Sequence, residues 1–253
     1  MIELLTAPTP NGWKVSIMLE ELRDQGYPLE DLEVQMINLM KGEQFEPDFM
    51  AVCPNQKIPA LVDGDIKLME SCAILQYLAE RFPSSLLPSD TAPRFEVLQW
   101  VYWQAANVGP VFGNKLSYTR YMDDVDSAAK AHPLKRFATE AKRLMGVLSR
   151  QLEGQTWICG EQFTIADIAV YPWVRGWKWS KIPIVEIPHL EDWVARVRAR
   201  PAVGRGLAYG VPESEVDQWS EARKAQVAAG GSSMAATSKL DRGPQVGGGD
   251  ASE

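Results

Sequence analysis

The chain has 253 residues, 45% hydrophobic and 23% charged, an ordinary globular composition with enough apolar material for one or two cores. Its 26 basic residues stand against 33 acidic ones, a net charge of −7. No basic cluster exceeds pairs such as Lys142-Arg143 and Arg223-Lys224, so nucleic acid is not expected as a partner. No run approaches the ~18 apolar residues of a membrane span, and the strand-like start Met1-Ile2-Glu3-Leu4-Leu5 lacks the pattern of a signal peptide. Three cysteines without a C-x-x-C spacing fit a reduced, cytoplasmic compartment better than a disulfide framework. The two histidines, His132 and His189, leave little material for a metal site or a histidine triad, and no metal is expected.

In chain order, residues 2–6 read as a first strand, followed by the turn-rich Ala7-Pro8-Thr9-Pro10-Asn11-Gly12. Val15, Met18, Leu19 and Leu22 then recur at helical spacing up to Gln25-Gly26. Val34 to Asn38 is a second strand, and Gln44 to Val52 a short irregular helix. Ala60-Leu61-Val62 and Ile66-Lys67-Leu68 flank Asp63-Gly64, a pair suited to a hairpin turn because both residues tolerate positive φ. Residues 71–82 form the next helix. The order β-α-β-α-β-β-α is a thioredoxin-like arrangement, assigned to residues 1–83. A Pro- and Ser-rich linker covers 84–90. From 91 to 210 the apolar residues repeat at helical spacing, as in Leu144, Val147, Leu148 and Leu152, and predict an all-α domain. Thr164-Ile165-Ala166-Asp167 has the form of a capping box, with Asp in the acidic position. An extension over 211–253 carries one short helix over roughly 213–229; its Gly-, Ser- and Ala-rich end predicts disorder after about 230.

Two features carry the chemistry. Ile58-Pro59 precedes the apolar run of a strand, where proline is tolerated at the first position. A cis bond there would turn the Ile58 backbone groups outward, toward an extended peptide ligand. Glu70-Ser71 opens a helix, and the free N–H groups and positive dipole of a helix start suit a carboxylate. Taken singly, these are a strand entry and an N-cap. Together, at this spacing, Asn55-Gln56-Lys57-Ile58-Pro59-Ala60-Leu61 and Glu70-Ser71 resemble the glutathione site of the glutathione S-transferase superfamily.

The resemblance covers residues 1 to about 210. Ala7-Pro8-Thr9-Pro10-Asn11-Gly12 and Gly160-Glu161-Gln162-Phe163-Thr164-Ile165-Ala166-Asp167 look like the nu-class, disulfide-bond-reductase branch and its fungal relatives. The resemblance implies a glutathione transferase fold, an α/β thioredoxin-like N-terminal domain plus an all-α C-terminal domain. It also implies a homodimer, a small-molecule second substrate, and glutathione as co-substrate. The site it implies places Thr9 and Asn11 at the glutathione sulfur. Neither is a base; each can donate a hydrogen bond to a thiolate. Many superfamily members use Tyr, Ser or Cys there, and this chain departs from them at Thr9. Lowering a thiol from its usual pKa near 8.5 by about two units requires about 2.7 kcal/mol, within reach of a helix dipole and one or two charged hydrogen bonds.

Gln44, Lys57, Ile58, Glu70 and Ser71 are implied to hold the rest of glutathione, and Arg136 to reach glutathione on the other subunit, though by itself Arg136 reads as an exposed helix charge. Tyr118, Tyr121 and Trp177, with Trp179, are candidates to wall a hydrophobic substrate pocket; the tryptophans at i,i+3 and i,i+4 spacing also suit a core or interface. Cys53 and Cys72 flank the site and read as small buried hydrophobes. The implied reaction is thiol–disulfide exchange by glutathione thiolate. Conjugation to, or ether cleavage of, an aromatic electrophile uses the same sulfur, and a non-catalytic glutathione-transferase-like regulator is the alternative from another class.

Overall fold

The computed structural model describes residues 1–217, apart from 123, 124 and 185, together with residue 225. Residues 218–224 and 226–229 of the expected 213–229 helix, and the Gly/Ser-rich end, lie outside the described residues; a single 3₁₀ turn occupies Glu213–Glu215.

Strands β1 (Ile2–Thr6), β2 (Leu32–Met36), β3 (Ala60–Asp63) and β4 (Ile66–Met69) form one mixed sheet in the order β2-β1-β3-β4. β1 pairs with β2 in parallel, Ile2 opposite Leu32, and with β3 antiparallel, Leu4 opposite Leu61. The Asp63-Gly64 turn closes the β3–β4 hairpin, with Gly64 at φ 59°. Around the sheet lie α1 (Pro10–Asp24), the short α2 (Pro47–Val52) preceded by a 3₁₀ turn at Glu43–Phe45, and α3 (Ser71–Arg81). This is the thioredoxin-like arrangement, and a helical domain follows it. The helical domain comprises α4 (Thr91–Trp103), α5 (Gly109–Arg120), α6 (Ser127–Leu152), α7 (Ile165–Arg175), α8 (Trp177–Ser180), α9 (Leu190–Arg198) and α10 (Pro201–Leu207). Gln104–Val108 is a π-helical turn between α4 and α5.

Helix α1 is buried on every face from Gly12 to Leu22, because α3, α7 and α10 cover the sides the sheet leaves open. Its apolar positions, Val15, Met18, Leu19 and Leu22, enter the main core. Its polar positions are buried as well, each with a partner elsewhere in the chain. Ser16 donates to the Gly206 carbonyl at 2.6 Å. Glu21 accepts both Nε and Nη2 of Arg200 at 2.6 Å, a two-pronged geometry that guanidinium favours. Glu20 accepts from Arg205 and Tyr209, both at 2.7 Å. Gly206 is a close-approach position: a Cβ there would lie 2.6 Å from the Ile17 Cα.

Helix α7 is pinned at its start. Thr164 and Asp167 form the expected capping box, Asp167 accepting from the Thr164 backbone N–H at 3.1 Å. The buried Asp167 carboxylate also accepts from the Ile158 backbone N–H at 3.1 Å and the Trp193 indole at 2.9 Å. Burial pushes this carboxyl up to about 6 against the pull of those donors. The pinned helix presents Trp173 and Arg175 toward the sheet domain.

Candidate active site

A cavity of about 1000 Å³ opens between the two domains. Its sheet-domain wall is built from three chain reversals: the turn after β1, the cis-proline loop before β3, and the β4–α3 junction. Thr9, Asn11, Gln44, Lys57, Ile58, Glu70 and Ser71 all lie on this wall. The helical domain contributes Asn114, Tyr121, Trp173, Arg175 and Trp179.

The turn after β1 owes its shape to local chemistry. Thr9 is the N-cap of α1, with extended backbone (φ −129°, ψ 163°), and its Oγ1 accepts from the Gly12 backbone N–H at 3.3 Å. Pro10 fills the first helical position, where a missing N–H costs nothing. Gly12 is required by proximity, since a Cβ there would lie 2.1 Å from the Ala7 carbonyl oxygen. Capping engages only the acceptor side of the Thr9 hydroxyl, so its O–H can still donate. The Asn11 Oδ1 accepts from the Trp173 indole N–H at 3.1 Å. That bond assigns the amide orientation and leaves the Asn11 NH₂ as the group available to the cavity.

The Ile58–Pro59 peptide is cis. Cys53 beneath the loop donates its S–H to the Lys57 carbonyl at 3.2 Å. Lys57 lies on the rim, its ammonium pKa lowered by partial burial. Gln44, 1% exposed, has no hydrogen-bond partner for either side-chain amide atom, and a buried amide in that state favours a ligand that supplies one. Four described non-glycine residues have positive φ, and two of them, Gln56 (57°) and Glu70 (72°), are on this wall. Such conformations are uncommon for residues with a Cβ and concentrate at functional sites. Glu70 is the N-cap of α3 and Ser71 its first residue.

The other sequence candidates lie elsewhere. The Tyr118 ring stacks on Phe137 with centroids 6.0 Å apart, which takes it off the cavity wall. Trp177 packs on the main core instead, and Trp179 stands on the wall with Tyr121. The reason is the one-turn helix α8, which sends Trp177 and Trp179 to different surroundings. Arg136 projects from α6 with a largely exposed side chain, 3.7 Å from Glu140. Two cationic residues were missed by sequence reasoning. Arg175 lines the cavity, lies over the Trp13 ring at 5.1 Å, and donates to Asp217 at 2.8 Å. Lys14 is 2% exposed behind Ser71. Lys14 occupied a polar position in the α1 pattern, and nothing in that pattern marks it as buried.

Among the described residues no group of three or more His, Cys, Asp or Glu is placed to hold a metal, and no helix is long and apolar enough to cross a membrane.

A thioredoxin-like sheet domain joined to a helical domain, with a cleft between them at the cis-proline loop, defines the class of protein. Residues 2–80 match the family model described as glutathione S-transferase, N-terminal domain, and residues 111–201 match glutathione S-transferase, C-terminal domain. The chain is 37% identical over 214 residues to the disulfide-bond oxidoreductase YfcG of Escherichia coli, covering 82% of this chain and 94% of that protein. Among solved structures, a glutathione transferase family member from Pseudomonas fluorescens with two glutathione bound is 40% identical, with a TM-score of 0.75 over 81% of this chain and 92% of that one. A glutathione transferase from Pseudomonas putida with one glutathione disulfide bound per subunit is 36% identical, with a TM-score of 0.71 over 81% and 90%. The chain therefore belongs to the glutathione S-transferase family and is an enzyme of that superfamily.

Proposed function

We propose that this enzyme is a glutathione-dependent thiol–disulfide oxidoreductase in which the protein contributes no cysteine of its own. The observation that carries the reading is the Trp173–Asn11 hydrogen bond, which turns a donor amide, beside the Thr9 hydroxyl, toward the place where a glutathione sulfur would sit. The glutathione thiolate attacks a substrate disulfide; a sulfur–sulfur bond forms to glutathione and one substrate thiolate leaves. A second glutathione thiolate attacks the glutathione sulfur of the mixed disulfide. Glutathione disulfide forms, and the second substrate thiolate departs and takes up a proton. Two electrons pass from two glutathiones to one disulfide. The cavity volume lies at the upper end of ordinary ligand sites, in keeping with two glutathiones or one disulfide. The relatives with two glutathiones and with glutathione disulfide bound support the same reading.

In this site the Ile58 backbone pairs with the cysteinyl part of glutathione, Lys57 and Gln44 meet its glycine carboxylate or γ-glutamyl part, and Glu70 and Ser71 hold the γ-glutamyl end. The aromatic wall of Trp173, Trp179 and Tyr121 favours, as a second reading, attack of the same thiolate on an aromatic electrophile. A cytoplasmic homodimer fits the three free thiols and the exposed apolar side chains Ile66 and Met69 on β4 and Phe95 and Tyr102 on α4. Arg136 would then reach the partner's glutathione. We place the domain boundaries at 1–83 and 91–210, with 84–90 linking α3 to α4 and an extension from 211. The test is purified protein with glutathione, assayed against a model disulfide and a panel of aromatic electrophiles. Disulfide reduction well above the protein-free rate is expected, and turnover of electrophiles alone would overturn the first reading. Light scattering giving a monomer mass at micromolar concentration would exclude the dimer and the role of Arg136.

A further inference from the structure

Lys14 is a buried lysine, 2% exposed, that the proposed chemistry does not use. Its Nζ lies 3.1 Å from Ser71 Oγ, 2.5 Å from Gln104 Oε1 and 3.7 Å from Cys72 Sγ. Three heteroatoms thus surround the three N–H bonds of an ammonium. Gln104 is brought there by the π-helical turn that it opens, a form of helix distortion frequent at functional sites. Gln104 is itself buried, and its Oε1 also accepts from the Cys72 thiol at 3.2 Å. Among the described residues no carboxylate pairs with Lys14; burial pushes its pKa below the usual lysine value, and Cys72 and, at longer range, Glu70 only partly offset this. A buried ammonium with neutral partners leaves its charge uncompensated, which is costly unless something else completes the pair.

We propose that Lys14 is the positioning residue of the γ-glutamyl subsite: it holds the Ser71 oxygen from behind and supplies the buried positive charge that the ligand's α-carboxylate neutralises. The geometry gives the direction of the effect. Ser71 Oγ accepts from Lys14, so its own O–H is left to donate outward, polarised by the ammonium behind it. Ser71 is the first residue of α3, where the first-turn backbone N–H groups have no partner within the helix and carry its positive dipole end. An anion at this point meets a hydroxyl donor, a helix terminus and a cation in line. The ammonium is held at a desolvated position where its field is weakly screened. The substrate class selected is a peptide thiol carrying a free α-carboxylate at its γ-linked end. This inference rests on the reading of the cavity as a glutathione site.

The test compares two ligands by titration calorimetry: glutathione, and γ-aminobutyryl-cysteinyl-glycine, which lacks only the α-carboxylate. Wild type is expected to prefer glutathione by about 10-fold or more, the range of a charged hydrogen bond. Lys14→Met is expected to reduce that preference to within about 3-fold while binding the analogue nearly as wild type does. Gln104→Glu keeps the lysine but sets a carboxylate against its ammonium, so it is expected to lose the same preference; it carries the test if the Lys14 variant melts early. Equal weakening of both ligands, or an unchanged preference in folded variants, would overturn the role of Lys14. A wild type that binds glutathione and the analogue equally would instead show that the subsite itself is misassigned, and the inference would fall with it.

Discussion

The Trp173 indole N–H donates to Asn11 Oδ1 at 3.1 Å, joining the first turn of α1 to α7 across 162 residues of sequence. One domain holds the donor to sulfur; the other fixes which way that donor points. Asn11→Ala should lower disulfide reduction by about 10-fold or more, the equivalent of ~1.4 kcal/mol. Trp173→Phe keeps the aromatic packing and removes only the indole N–H, so a smaller loss of about 5-fold is expected, the worth of one neutral hydrogen bond. Steady-state kinetics with a model disulfide would separate them. An Asn11→Ala enzyme with wild-type kcat/KM would remove Asn11 from the sulfur.

Ser71 and Glu70 should govern affinity rather than the bound reaction. Each is placed at the start of α3, on a different chain reversal of the cavity wall from the Thr9 and Asn11 turn that would face the sulfur. Ser71→Ala is expected to raise the Kd for glutathione about 10-fold, with kcat nearly unchanged. Calorimetry showing unchanged affinity would count against the assigned γ-glutamyl end.

The protein's own thiols should be dispensable. Cys53 and Cys72 are buried, and burial pushes the Cys159 thiol up to about 12, with Asp167 and Glu96 adding to the effect. A thiol in that range holds almost no thiolate at neutral pH. A variant with Cys53, Cys72 and Cys159 all changed to Ser should keep most of its disulfide-reducing activity. A folded but inactive triple variant would mean that the enzyme works through a cysteine of its own.

Glu20 should make the domain junction sensitive to acid. Burial alone would raise its carboxyl, but the hydrogen bonds from Arg205 and Tyr209 and the neighbouring Arg23 outweigh that and hold it below its ordinary 4.5. A carboxylate with a depressed native pKa contributes stability that is present above the unfolded value and lost as pH falls through the native one. Thermal melts should therefore show a loss beginning below pH 4.5. Glu20→Gln should be less stable at pH 7 by about 1–3 kcal/mol and should lack that part of the acid-side decline. Parallel pH profiles for the two proteins would rule out this linkage.

Gly206→Ala should weaken the same junction by sterics alone. The added Cβ would meet Ile17 backbone atoms at 2.6 and 2.7 Å, and helices α1 and α10 would have to separate. Overpacking of this kind costs typically about 1–3 kcal/mol. Denaturant unfolding would reveal it, and an unchanged midpoint would show that α10 can shift without loss.

The order of the sheet-domain elements and the turn chemistry of the site were legible in the residues alone. The β-α-β-α-β-β-α order, the Asp63-Gly64 hairpin and the Thr164–Asp167 capping box are local matters. Propensity, period and capping fix them over a few residues, and short phrases of sequence carry them. Gln44 was legible as a site residue from the resemblance alone, since an isolated glutamine has no period or motif to mark it.

Tertiary structure decided which polar side chains are buried and what they face. Val15, Met18, Leu19 and Leu22 suffice to predict α1 as a helix with one apolar face, and nothing in that pattern marks the side carrying Ser16, Glu20, Glu21 and Lys14 as buried. The structure covers that side with α3, α7 and α10 and gives each residue a partner between 57 and 190 positions away. Pairings at such separation leave no trace in local periodicity, because the loop between them can be of almost any length and composition. The same limit hid Trp173 behind Asn11 and separated Trp179 from Trp177: the direction a side chain takes depends on the neighbour that packs against it, and that neighbour is set only when the two domains close on each other.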